Sequence, residues 1–258
     1  MTIRTDTRGA IAWVTFDRPE ARNAFTHQMY PLLGQICADL GANDGIRAVV
    51  FQGQGDDAFV SGSDIRGVGE IRSVADALAY EEHIEQGIGG VERLLKPTIA
   101  LIRGVAAGGG AAIALACDIR IAAENARFGV PIARTIGNTL SLRNVARMIQ
   151  VVGAAVTKDL LLTGRLATAG EAKAAGAFND VVPLDRIEAH VTALAERLSQ
   201  NAPLTIRATK LAVLRVLQTE RERLGAGEDI LALAYGSEDF REGVAAFLEK
   251  RVPVWKGR

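Results

Sequence analysis

Three consecutive glycines, Gly108-Gly109-Gly110, stand between a buried-strand run, Thr98 to Ile102, and a small-residue run, Ala111 to Ala116. Without a Cβ, the backbone there can take unusual dihedrals and come close to a ligand. If Ala111 to Ala116 lies at a helix start, the first N–H groups lack internal partners. The helix dipole adds partial positive charge at the same point. Such a place can hold an anion that exists only during reaction, in the manner of an oxyanion hole. The same glycines would also serve close strand–helix packing. A second turn, Ser61-Gly62-Ser63-Asp64, follows Phe59-Val60. His27, His83 and His190 are scattered in sequence, so no metal site is expected. His83 sits among Glu81, Glu82 and Glu85, which reads as the solvated face of a polar helix. Dinucleotide, Walker A and G-x-S-x-G patterns are absent.

These turns need elements to hold them. Strands are expected at Ile11 to Phe16, Arg47 to Phe51, Thr98 to Ile102, Asp118 to Ala122 and Phe178 to Val182. Helices are expected from Thr26 to Leu40, with Thr26 as N-cap, and from Ser73 to Leu95, stopped by Pro97. Beyond Ser141 the chain reads as mainly helical. Pro203 starts one helix and Ser237-Glu238-Asp239 caps another. Strands followed by helices, repeated, imply an α/β domain with layered sheets.

The bulk numbers bound the class. The chain has 258 residues, 48% hydrophobic and 23% charged, with formal net charge zero. That describes a globular protein with a substantial core. It gives no support for nucleic-acid or anionic-membrane binding. Cys37 and Cys117 form neither a disulfide framework nor metal-type spacing, so a reducing, cytoplasmic setting is expected. The first residues lack the apolar run of a signal peptide, and nothing approaches the roughly 18 apolar residues of a membrane span.

Several segments, in order, resemble the crotonase (enoyl-CoA hydratase/isomerase) superfamily. Phe59-Val60-Ser61-Gly62-Ser63-Asp64-Ile65 is similar to its F-x-S-G-x-D-I signature. Val105 to Ala122, through Gly108-Gly109-Gly110 and Ala116-Cys117-Asp118-Ile119-Arg120-Ile121-Ala122, is similar to its glycine-triplet signature. Arg18 to Ala24, Ala126 to Pro131, Leu162-Thr163-Gly164, Ala172 to Gly176, Val181-Val182, Ser237-Glu238-Asp239 and Ala246 to Arg251 fit the rest. The resemblance implies a spiral of repeated ββα units over residues 1–195. It implies a helical region, 196–258, that packs on the core and on neighbouring subunits. A homotrimer or a dimer of trimers is expected. The substrate would be an acyl-CoA thioester, with coenzyme A part of the substrate and no permanent cofactor. Carried over by position, the backbone N–H groups of Ser63 and Gly109 would form the oxyanion hole. Arg22 and Arg66 would meet CoA phosphates, which a guanidinium suits, with Ser61, Asp64 and Ile65 beside them. Either arginine could instead be a plain surface residue. Phe247 and Lys250 match residues that reach CoA bound to a neighbouring subunit.

The chain departs from the family at the residues that move protons. Hydration there uses two glutamates. Their positions are Ala112 and Ile132 here, and neither can carry a proton. The expected activity is therefore that of a lyase or isomerase of the family that stabilises an enolate or oxyanion, without the usual hydration. Decarboxylation, thioester hydrolysis, C–C cleavage, or CoA binding without turnover are the alternatives. In place of a glycine-rich stretch, Ile132 to Ser141 supplies Arg134, Thr135, Asn138 and Thr139 for the acyl pocket. Asn138 and Ser141 could equally cap the next helix. Glu70 and Glu82 are candidate replacement bases.

Overall fold

The computed structural model describes residues 2–69, 71–222, 225 and 227–258. The chain opens with a hairpin in which β1 (Ile3–Arg8) turns at Gly9 into β2 (Ile11–Phe16). After α1 (Met29–Ala42) come three units of one build. Each sends its first strand to one sheet, its second strand to another, and closes with helix. The first unit is β3 (Ala48–Gly53), β4 (Ala58–Val60), short α2 (Ile65–Val68) and long α3 (Val74–Arg93). The second is β5 (Thr98–Ile102), β6 (Val105–Ala107) and α4 (Gly109–Ala116). The third is β7 (Ile119–Ala123), β8 (Arg127–Gly129), α5 (Ile132–Thr135) and α6 (Leu142–Thr163). Then follow β9 (Ala167–Thr168), α7 (Ala169–Ala174), β10 (Asp180–Val182) and α8 (Ile187–Gln200). The last helices are α9 (Pro203–Glu222), α10 (Glu228–Tyr235) and α11 (Glu238–Leu248).

The six-stranded sheet runs β1-β2-β3-β5-β7-β10 and the four-stranded sheet β4-β6-β8-β9. All pairings are parallel except β1 with β2 and β8 with β9. Central parallel strands are covered on both faces, which is why they read as unbroken apolar runs. Alternate residues serve different cores. Val14, Phe16, Val49, Phe51, Ala100 and Ile102 enter the main core. Ile11, Trp13, Val50, Ile99 and Leu101 meet Ile187, Val191 and Ala195 of α8 on the other face. This mixed α/β architecture with C-terminal helices agrees with the sequence reading.

One boundary differs. Thr26 is not the N-cap of α1, which begins at Met29 after Gln28. Phe25 is held in a parallel bridge to Ser63, and that pairing keeps the chain extended up to the turn. Helix α3 begins as the sequence suggests, with a capping box between Ser73 and Asp76. α9 packs on α6, and its Lys210 reaches the Asp118 carboxylate at 2.6 Å. α10 packs on α3, and α11 on α2 and α5, so the chain's end returns to the glycine turns. Among the described residues, no helix is long and apolar enough to cross a membrane.

Candidate active site

The site grows from the ends of β4 and β6. At the first, the Phe25 N–H donates to the Gly62 carbonyl at 2.9 Å, and the Asp64 N–H donates to the Phe25 carbonyl at 2.7 Å. A parallel bridge bonds the residues on either side of the opposite position. The N–H of Ser63 therefore points away from Phe25. At the second, Gly108 takes φ +52° and ψ −119°, a conformation that favours glycine, and Gly109 opens α4. The Gly109 N–H has no carbonyl one turn back to bond. The two turns touch: a methyl group on Gly108 would stand 3.6 Å from Gly62 Cα. A methyl on Gly109 would collide with the Tyr30 hydroxyl. That hydroxyl lies 2.8 Å from Ser63 Oγ and is fully buried, so burial pushes its pKa well up.

Both turns open into a cleft of about 330 Å³. A larger groove of about 810 Å³ runs between α1, α3 and α9. It includes neither turn, so the smaller cleft is the candidate site. Of the residues singled out by sequence, Ser61, Ser63, Asp64, Ile65, Arg66, Gly109, Ala112, Ile132, Thr135, Asn138, Thr139 and Phe247 all line it. Ala112 and Ile132 thus present methyl groups to the cavity, with no acid or base. Asn138 belongs to the cleft and does not cap α6, whose N-cap is Ser141. Its amide donates to the Tyr235 hydroxyl at 3.1 Å, and its Oδ1 has no partner among the described residues.

Other expectations fall elsewhere. Arg22 is exposed in a left-handed turn, and Arg134 is exposed with its side chain against Gly164. Neither lines the cleft. Lys250 is exposed beyond α11 and also lies off the cleft. Phe247 lines the cleft of its own chain. Arg66 stands at the edge, paired with Asp64 at 2.7 Å, while Arg18 approaches the same carboxylate at 3.2 Å. The Arg66 guanidinium holds the Asp64 carboxyl down at about 2. Glu82 points to solvent and pairs with Arg143 at 3.2 Å, so it cannot serve the cleft. Glu70 lies outside the described residues.

The reading of α3 as a solvated face fails at two residues. Glu81 and Glu85 are both buried. Glu85 is gripped by Arg147, which also binds Glu92. Glu81 lines the cleft and was not among the sequence candidates. It accepts a hydrogen bond from the Tyr235 O–H at 2.9 Å. Burial pushes its pKa up, from the usual 4.5 to about 7. The sequence carried a signal for it: Ala77, Glu81, Ile84 and Ile88 share one helical stripe at spacings of four, three and four. Among the described residues no group of His, Cys, Asp and Glu is arranged to hold a metal ion.

The model of the enoyl-CoA hydratase/isomerase family matches residues 6–258. The short-chain-enoyl-CoA hydratase of Clostridium acetobutylicum is 32% identical over 250 residues, covering 94% of this chain and 93% of that protein. The solved carnitinyl-CoA hydratase of Mycobacterium avium is 35% identical, with a TM-score of 0.86 over 100% of this chain and 99% of that one. A solved methylmalonyl-CoA decarboxylase, bound to 2-nitronate-propionyl-CoA, is 27% identical, with a TM-score of 0.89 over 100% and 99%. With the match running through both glycine turns and the C-terminal helices, the chain belongs to the enoyl-CoA hydratase/isomerase family.

Proposed function

We propose that the cleft binds an acyl-CoA thioester and stabilises the enolate formed at its carbonyl, between the N–H groups of Ser63 and Gly109. The observation that carries this reading is the pair of backbone donors, without partners among the described residues, beside a largely apolar cavity. When a Cα–H bond or a Cα–carboxylate bond breaks, charge moves to the thioester oxygen. Fixed donors bind that charge more tightly than the neutral carbonyl, and that difference lowers the barrier. Apolar neighbours such as Ala112, Ile132 and Ile84 keep water away and strengthen the effect. Coenzyme A is part of the substrate and leaves with the product. Its phosphates would meet Arg66 at the edge of the cleft.

Hydration in the family manner needs two proton carriers opposite the double bond. Ala112 and Ile132 supply none, so the reading favours proton shuffling or decarboxylation over addition of water. The similarity to a decarboxylase fits an enolate chemistry that needs no strong base. Leu204, Val213 and Val216 on α9 are exposed apolar residues, which supports assembly through the C-terminal helices. Two buried free thiols suit a reducing compartment.

A CoA-thioester panel tests the reading. Exchange of the α-protons of a saturated acyl-CoA in D2O is expected, with crotonyl-CoA hydration far below the ~10 per second of an ordinary enzyme. Absence of exchange and of carbon dioxide release from malonyl-type thioesters would refute the enolate reading. Fast hydration would refute the exclusion of water addition.

A further inference from the structure

We propose that Glu81 is the proton-transferring carboxyl of this cleft, acting alone on an acyl thioester whose double bond lies one carbon away from conjugation. The inference rests on the acyl-CoA reading above. Four observations lead to it.

The first is position. Glu81 lies on the stripe of α3 that lines the cavity, between Tyr80 and Ile84, and the same cavity contains Ser63 and Gly109. The second is competition. Among the described residues the other lining carboxyl, Asp64, caps α2 and is neutralised by Arg66 and Arg18. A carboxyl held near 2 is a poor base. The third is orientation. Tyr235 from α10 donates to Oε1, and the Asn138 amide donates to Tyr235 in turn. Ser141 stands against the same carboxyl. These donors, with the Ser141 hydroxyl and backbone N–H, fix the direction of the carboxyl within the cavity. The fourth is charge. The groups facing Glu81 are Tyr80 and Glu85 on α3, Tyr235 on α10 and Tyr30 on α1. Arg147 on α6 is spent on Glu85 and Glu92. Among the described residues no cation is paired with Glu81, so it can gain and lose a proton near neutral pH.

A single carboxyl suits a 1,3-proton shift. The carboxylate takes the proton from Cα of a β,γ-unsaturated thioester. The C–H electron pair becomes the Cα–carbonyl double bond, and the carbonyl pair moves to oxygen, facing Ser63 and Gly109. The enolate then collapses: the oxygen pair restores the carbonyl, the double bond moves to Cα–Cβ, and the former alkene pair takes the same proton at Cγ. Glu81 ends as it began, and nothing else is consumed.

The test uses the full chain with 3-hexenoyl-CoA, the variants Glu81→Gln and Tyr235→Phe, and calorimetry with hexanoyl-CoA. Glu81→Gln should lower kcat for the double-bond shift by ~10²-fold or more, with hexanoyl-CoA Kd within about twofold. The wild-type rate should rise as pH passes through about 7, since the base form is required. Tyr235→Phe removes a donor that favours the carboxylate, so its rate should rise only at higher pH. If Glu81→Gln binds hexanoyl-CoA and keeps more than about a tenth of the rate, or an unchanged pH limb, Glu81 is not the proton carrier, while the acyl-CoA reading stands. If the wild type binds no hexanoyl-CoA and shifts no double bond, both fall together.

Discussion

Gly109→Ala lowers turnover of an acyl-CoA by ~10²-fold or more, about 2.7 kcal/mol of transition-state stabilisation. The added methyl meets the hydroxyl of Tyr30, which is buried and bonded to Ser63 Oγ at 2.8 Å. Neither side can give way freely: Tyr30 is enclosed, and Gly110 behind cannot retreat, since its own Cα faces the Val60 carbonyl. The α4 N-terminus therefore shifts, and the Gly109 N–H leaves its place beside Ser63. Displacement of well under 1 Å matters, because fixed donors work by being in position before charge develops. The loss should fall on kcat more than on KM, because donors in the proposed role would act mainly on the enolate. Removing the colliding hydroxyl with Tyr30→Phe should restore part of the rate in the double variant. Steady-state kinetics of the four proteins make the cycle, and strict additivity would contradict the collision.

Arg147→Ala destabilises the fold by about 3–5 kcal/mol. Arg147 is 2% exposed and donates to Glu85 at 2.6 and 2.7 Å, to Glu92 at 2.9 Å and to Asn144 at 2.8 Å. Its removal leaves two enclosed carboxylates without the cation they share. For a chain of this size the loss corresponds to roughly 6–20 °C in Tm. Thermal melts should show the drop, and the triple variant with Glu85→Gln and Glu92→Gln should recover much of it. A single variant that melts with the wild type would show that the cluster carries no net stabilisation. Because α6 and α3 meet at this cluster, and α3 carries Glu81, binding of acyl-CoA should weaken in the single variant too.

The strands were legible because parallel strands buried on both faces leave an apolar run, as at Ile11–Phe16 and Thr98–Ile102. β1 escaped notice because it is an edge strand, whose residues after Ile3 are all exposed. The two glycine turns that meet at the cleft were legible because glycine marks a tight backbone directly in the sequence. Side-chain direction was harder. Glu82 and Glu81 are neighbours, yet one reaches Arg143 in solvent and the other Tyr235 in the cleft. A cluster of three glutamates around a histidine looked uniformly polar. Its apolar stripe of Ala77, Ile84 and Ile88 held the phase information that separates them. Likewise Thr135 lines the cleft while the adjacent Arg134 does not, since a single turn of helix gives too few residues for a period to be read.

The central claim is that Ser63 and Gly109 polarise a thioester carbonyl. The most direct measurement is the infrared stretch of a carbonyl-13C acyl-CoA, free and bound. Two aligned donors should lower the bound frequency, and Gly109→Ala should return it toward the free value. A bound carbonyl that keeps its solution frequency, or a shift that survives Gly109→Ala unchanged, would contradict the account.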